Sequence, residues 1–158
     1  RDETLEFVQG MTDHVRKRID FLEDPCPWKE EDWDEIRRVA RLQLALDRGV
    51  LWPGSGADVL VLKPARDDVA TDLRGSKRLV LTSNMDHPLG QCFAAWRAGQ
   101  LVSSGSRLDV CGLQTHELFE PDEFSERLGP AKPRFASPGG TGLGFDDLLE
   151  KLPWKRLT

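Results

Sequence analysis

The 158-residue sequence lacks any apolar run long enough to cross a bilayer. Its longest runs, Val59-Leu60-Val61-Leu62 and Leu79-Val80-Leu81, are strand-sized, far short of the roughly 18 residues a membrane helix requires. It also lacks an excess of basic charge. Lys and Arg number 22 against 27 Asp and Glu, net -5, with the signs interleaved, so no surface is built to collect phosphate backbones and nucleic acid is not an expected partner. Cysteine is scarce. Cys26, Cys92 and Cys111 form no CxxC pair and cannot all be bridged, which fits a reducing compartment and makes the cytoplasm the expected location. No signal-peptide or transit-peptide pattern is present, and the opening Arg1-Asp2-Glu3-Thr4, without an initiator Met, reads as mid-protein. What remains, 39% hydrophobic and 31% charged, is the composition of a wet-surfaced globular domain, neither disordered nor collagenous.

Along the chain, helical and strand periods alternate. Leu5, Phe7, Val8, Met11 and Val15 recur at three- and four-residue steps, predicting one amphipathic helix over Thr4 to Lys17 with Thr4 or Asp2 as its cap. A short strand follows at Arg18 to Glu23, halted by Asp24-Pro25. Glu31 to Leu42 reads as a helix with Trp33, Ile36 and Val39 on one stripe, and Leu42 to Asp47 as a second strand. The Pro53-Gly54-Ser55-Gly56 stretch leads to a third strand, Asp58 to Lys63, closed by Pro64. A weak helix near Asp67 to Leu73 precedes a fourth strand, Arg78 to Ser83. Pro88 then starts a helix running to about Gly99 with Asp86 as cap, and a fifth strand is expected at Leu108 to Leu113. Such alternation argues for parallel β/α units in an α/β fold. From Pro121 the pattern changes to two short helices, Asp122 to Leu128 and Phe145 to Leu152, around the cluster Gly139-Gly140-Thr141-Gly142-Leu143-Gly144. That cluster has no lysine and no strand before it, so a tight structural turn is expected rather than a phosphate cradle.

The chemistry is suggested by how the strands end. Glu23 closes the first, Asp47 the second and Lys63 the third, and in parallel α/β barrels active-site residues project from this C-terminal face. Asp47 shares its side of the strand with Ala45 and Gln43, and Lys63 with Val61 and Val59, small or branched residues that suit a barrel interior. Two carboxylates on adjacent strands repel unless a cation lies between them, and oxygen-only ligands favour Mg²⁺ over zinc. A lysine beside such a site is competent for proton transfer or for stabilising an enediolate. The alternative is that all three are rim ion pairs.

Several segments carry a resemblance. Phe21-Leu22-Glu23-Asp24-Pro25-Cys26-Pro27, Leu44-Ala45-Leu46-Asp47, Val59 to Pro64 and Leu81-Thr82-Ser83-Asn84-Met85-Asp86-His87-Pro88-Leu89-Gly90 resemble successive barrel strands of the enolase superfamily. Within its muconate-lactonizing subgroup they are most similar to the o-succinylbenzoate synthases. Cys111-Gly112-Leu113-Gln114-Thr115 resembles the last strand of that family, and Pro138 to Phe145 its glycine-rich tail. The resemblance implies the C-terminal part of a modified TIM barrel, (β/α)7β, with residues 1–120 forming strands four to eight and residues 121–158 a tail returning toward a capping domain. It implies Glu23 and Asp47 as two of three Mg²⁺ carboxylates, Lys63 as the catalytic sixth-strand lysine, and Thr82, Ser83 and Asn84 as substrate contacts. The implied reaction is dehydration of a cyclohexadiene carboxylate through an enediolate, on the route to menaquinone.

A closed eight-strand barrel takes about 250 residues, and five strand units are counted here, so the chain is expected to hold half of an active site and to be inactive by itself. A missing N-terminal portion or a companion chain would complete it, supplying a base lysine and the first metal carboxylate. Arg48 stands where relatives often carry Glu-Ser, which leaves a dipeptide epimerase or muconate cycloisomerase as the alternative reaction and a non-catalytic barrel fragment, binding partners through open edges, as the alternative class. The five tryptophans are too scattered for a base-stacking platform and are expected to pack. His87 is expected to be an incidental helix-start residue, His14 and His116 form no zinc site, and Cys26 is expected to be an inert thiol.

Overall fold

The structure, a computed structural model, describes residues 1–47, 56–67 and 77–155. Those residues fall into two compact units, one within 1–62 and 74–80, the other within 63–73 and 81–158. The Asp67–Leu73 helix expected from sequence, along with Arg48, Trp52 and Pro53-Gly54-Ser55, lies wholly or largely outside the described residues.

The first unit holds helices α1 (Asp2–Gly10), α2 (Asp13–Arg16) and α3 (Glu30–Ala40) and strands β1 (Phe21–Glu23), β2 (Gln43–Leu46), β3 (Val59–Leu62) and β4 (Arg78–Leu81), whose last residue belongs to the second unit. The sheet order is β1-β2-β3-β4. Strands β1 and β2 pair in parallel, with Phe21, Leu22 and Glu23 opposite Gln43, Leu44 and Ala45, and β2 and β3 pair in parallel with Ala45 opposite Val59. Each strand is laid beside its predecessor in chain order, the winding of a barrel rather than of a doubly wound sheet, where the order reverses. One face buries a cluster of Ala45, Val59, Val61 and Val80 with Phe21 packed against it. Leu44, Leu46, Leu60, Leu62 and Leu79, at the alternate positions, are buried as well. Strands buried on both faces are what a parallel sheet covered by helices requires.

Helix α3 supplies part of that cover, packing on β2 and α1 with Trp33, Ile36 and Ala40 buried at three- and four-residue steps. Its acidic first turn and basic last turn both complement the helix dipole. The single helix expected over Thr4 to Lys17 is instead two. Met11 is extended, and the Thr12 hydroxyl caps a new turn by accepting the Val15 N–H. Arg16 secures the break: its guanidinium donates to the Val8 carbonyl at 2.8 Å, and to that of Ala40, at the C-terminal ends of α1 and α3. At the N-terminal edge of the sheet, Asp58 accepts from Leu44 N at 2.9 Å and Arg37 Nε at 3.1 Å, and Arg78 grips Asp20 through two bonds of 2.8 and 2.9 Å.

In the second unit α4 (Pro88–Ser103) begins on Pro88, but its cap is His87, whose Nδ1 accepts from Leu89 N, and not Asp86. The fifth strand expected at Leu108 to Leu113 is absent as a strand. Thr82 and Gly112 form an isolated parallel bridge, while Val110 is 93% exposed. Gly112 has no side chain to pack and Asp109, Val110 and Gly112 are exposed, so burial does not extend the pairing. Helices α5 (Glu123–Leu128) and α6 (Asp146–Glu150) form where short helices were expected, and α5 starts on a capping box between Asp122 and Ser125. Their core joins Phe124, Phe145 and Leu148 to Cys92 of α4. The glycine cluster is the structural turn anticipated: Asp146 accepts from Thr141 N at 2.8 Å and Thr141 Oγ1 at 3.0 Å, closing the loop on its own carboxylate. Gly144 sits at φ +84°, where a Cβ would stand 2.5 Å from the Gly139 carbonyl oxygen.

Candidate active site at the strand ends

In the first unit, register brings the two expected metal carboxylates to one side of the sheet. Glu23 stands opposite Ala45, and Asp47 lies two residues beyond Ala45, so both take the parity of the Ala45, Val59 and Val61 layer. Glu23 is exposed and Asp47 is 7% exposed. Between them is a residue that sequence reasoning passed over. Asp24, in the left-handed region at φ 43°, donates its N–H to the Ala45 carbonyl at 2.9 Å, and its Oδ1 accepts the Asp47 N–H at 3.0 Å. Asp24 thus ties the end of β1 to the end of β2 and fixes the backbone from which Asp47 projects. The signal available in sequence was an Asp before Pro, a residue pair that favours such local turns.

In the second unit Lys63 directly follows β3, at the parity of Val61 and Val59, and is half-buried. Its N–H donates to Asp67 Oδ2 at 2.8 Å, and its carbonyl accepts from the Arg66 and Asp67 N–H groups, both at 2.8 Å. This tight turn holds the lysine backbone where the strand stops. Thr82, Ser83 and Asn84 follow β4. The Thr82 hydroxyl is buried with no hydrogen-bond partner among the described residues, Ser83 is buried with its Oγ 3.0 Å from Thr115 Oγ1, and Asn84 is exposed.

Gln91 escaped the sequence reading, and His116 was weighed there only as a zinc ligand. Gln91 is fully buried in the first turns of α4, where its amide bonds to Asp86, Thr115 and His116. His116, 4% exposed, lies with Nδ1 3.1 Å from Gln91 Oε1 and Nε2 2.8 Å from the Gly129 carbonyl oxygen. His87 is structural: besides capping α4, it sets its ring edge against Phe124 at 4.6 Å and brings Nε2 to 3.6 Å from Asp122. The same loop, with Met85, Asp86, Phe119 and Glu120, borders a cavity of about 250 Å³. Of the tryptophans, Trp33 packs as expected, its indole N–H bonded to the Cys26 carbonyl, while Trp96 and Trp154 are exposed.

No cysteine is poised for nucleophilic work. Burial raises the Cys26 and Cys111 thiols above their ordinary value and pushes Cys92 up to about 11, so all three stay protonated near neutrality.

The donor chemistry of Glu23 and Asp47, hard carboxylate oxygens on neighbouring strands, suits a magnesium ion. Among the described residues, however, no group of three His, Cys, Asp or Glu side chains could hold a metal. Nor is any described helix long and apolar enough to cross a membrane.

No protein-family model matches the chain. It is 36% identical over 163 aligned residues to the o-succinylbenzoate synthase of Bdellovibrio bacteriovorus, a match covering 96% of this chain and 49% of the relative. The chain therefore spans about half the length of the curated relative it matches.

Proposed function

We propose, from the relationship of this chain along nearly its whole length to o-succinylbenzoate synthase, that it is the C-terminal part of a Mg²⁺-dependent carbon-oxygen lyase of the enolase superfamily. In this reading residues 1–120 are strands four to eight of a (β/α)7β barrel and residues 121–158 return toward a capping domain. The observation that supports it, beside the sequence identity, is that Glu23 and Asp47 share one parity at successive parallel strand ends of the first unit.

Glu23 and Asp47 would hold the ion, whose positive charge offsets negative charge gathering on a substrate carboxylate. They supply two ligands only, so the third carboxylate and the base lysine come from an N-terminal portion or a companion chain. Asp24 keeps the Asp47 backbone in place. Lys63, its backbone pinned by Asp67, provides an ammonium that stabilises the carboxylate as the adjacent proton leaves, and the polar run 82–84 contacts the remaining polar groups of the substrate. The proposed substrate is a small cyclohexadiene carboxylate, the chemistry a dehydration and the location the cytoplasm, with neither nucleic acid nor membrane as partner.

The test uses the longer protein that contains this chain, assayed with Mg²⁺ and the cyclohexadiene carboxylate. Lys63→Ala should lower kcat by about 10³-fold or more while leaving the fold intact, as expected for a charge stabiliser in the reacting site. Calorimetric Mg²⁺ titration of the same protein should show binding that Asp47→Asn weakens. Near-normal turnover of Lys63→Ala, or unchanged Mg²⁺ affinity in Asp47→Asn, refutes the site assignment. Turnover of a dipeptide or a muconate in place of the cyclohexadiene would keep the site and change the reaction.

A further inference from the structure

Residues 82–86 leave β4 and enter α4 without regular structure, and Met85 is held in the left-handed region at φ 52°. The six-residue connection from Thr82 to His87 keeps one conformation only if something fixes it from outside. Three anchors do so, two of them from segments remote in sequence. The Ser83 N–H donates to the Gly112 carbonyl at 2.9 Å, the Ser83 and Thr115 hydroxyls lie 3.0 Å apart, and Gln91 Nε2 donates to the Asp86 carbonyl at 3.1 Å. Gln91 unites them. Its Oε1 accepts the Thr115 N–H at 3.1 Å and lies 3.1 Å from His116 Nδ1, while His116 Nε2 is 2.8 Å from the carbonyl oxygen of Gly129, the residue that ends α5. One buried amide thereby joins the loop after β4 to the Thr115-His116 segment.

The two residues between the anchors, Asn84 and Met85, are the exposed ones, whereas Ser83 is 3% exposed with its hydroxyl engaged. Resting on the reading of residues 82–84 as the substrate-contacting run, we infer that Gln91 is a positioning residue whose buried amide, through Thr115 and Asp86, clamps this loop so that Asn84 is presented to the substrate and Ser83 serves as an anchor. Directional bonds do this where apolar contact would not. A leucine or methionine at position 91 fills the same volume and leaves the Asp86 carbonyl and Thr115 N–H without partners.

The test reads backbone amide hydrogen exchange and kinetics on the same longer protein. Gln91→Met should speed exchange at residues 83–86 by about tenfold, the scale of one net hydrogen bond, while amides in the second half of α4 exchange as before. In the assay its KM should rise by about tenfold with kcat within about threefold, since the loop orients substrate without touching the reacting atoms. Thr115→Val, which removes one hydroxyl, should loosen Ser83 alone, and Thr115→Ser should restore it; this pair carries the test if Gln91→Met fails to fold. Unchanged exchange at 83–86 in both Gln91→Met and Thr115→Val overturns the inference, and so does acceleration spread evenly through α4, which would mark Gln91 as a packing residue only. Faster exchange in Gln91→Met, in a protein whose wild type never dehydrates the cyclohexadiene carboxylate, would support the clamp and overturn the proposed reaction.

Discussion

The first unit buries alanine, valine and leucine at successive strand positions up to Leu46 and Leu62, whereas the second buries Ser83, Gln91 and His116 among its phenylalanines and leucines. Each apolar strand residue taken from water stabilises by about 1.5–3 kcal/mol, but without direction, so the sheet layer depends on volume and parity more than on any one partner. The polar interior of the second unit gains less per group and specifies more, because each donor must find its acceptor or be left buried and unpaired. Packing thus builds the platform that carries Glu23 and Asp47, and bonded geometry shapes the loop that carries Asn84.

Perturbing one side at a time should separate the two modes. The largest effect is expected at Trp33, 1% exposed in α3: Trp33→Ala should cost about 3–5 kcal/mol, read from the urea midpoint of unfolding. A loss below about 1 kcal/mol would mean that the layer over the sheet does not depend on this ring. In the second unit a single methyl group should matter. Gly144→Ala adds a Cβ at positive φ against the Gly139 carbonyl and should destabilise by about 1–3 kcal/mol without removing any apolar contact. Should Gly144→Ala be neutral in thermal unfolding, the tail turn would not be the rigid element described.

The smallest effect is at the cap of α5. Asp122→Ala should cost about 1 kcal/mol. The Ser125 backbone N–H holds the Asp122 carboxyl below its ordinary value, so the charged form favours the folded state above the usual carboxylate range, and this advantage disappears as pH falls through the lowered folded value. Asp122→Asn keeps a capping oxygen that does not titrate. The stability gap between wild type and Asp122→Asn, measured by denaturant titration, should therefore be steady near neutrality and shrink below about pH 4. A gap that widens on acidification would show that Ser125 does not favour the charged carboxylate.

Much of the first unit was legible in sequence because its rules are local. Short apolar runs marked the strands expected at Leu42 to Asp47 and Asp58 to Lys63, Pro64 marked where the latter stops, and the structured strands Gln43–Leu46 and Val59–Leu62 lie inside those spans, trimmed at the ends. The helix at the N-terminus was misjudged for a reason outside the local pattern: Arg16 reaches the carbonyls of both α1 and α3, and so rewards a break at Met11. The Leu108 to Leu113 segment has strand composition, but Gly112 and the exposure of Val110 leave it with isolated bridge residues at Leu108 and Gly112. Gln91 and His116 looked like ordinary helix and loop residues, since nothing in the residues around them reveals that they will meet.

By itself the sequence determined which ionisable residues end the strands and which side of each strand they take, since both follow from alternation and chain breaks within a few residues. Only the tertiary structure decided that Glu23 aligns with Ala45, that Asp24 braces Asp47, and that Gln91 joins Asp86, Thr115 and His116. These are bonds between segments separated by other elements of the chain, apart from the short span from Gln91 back to Asp86. Their geometry depends on register and packing, which come into being when the segments meet.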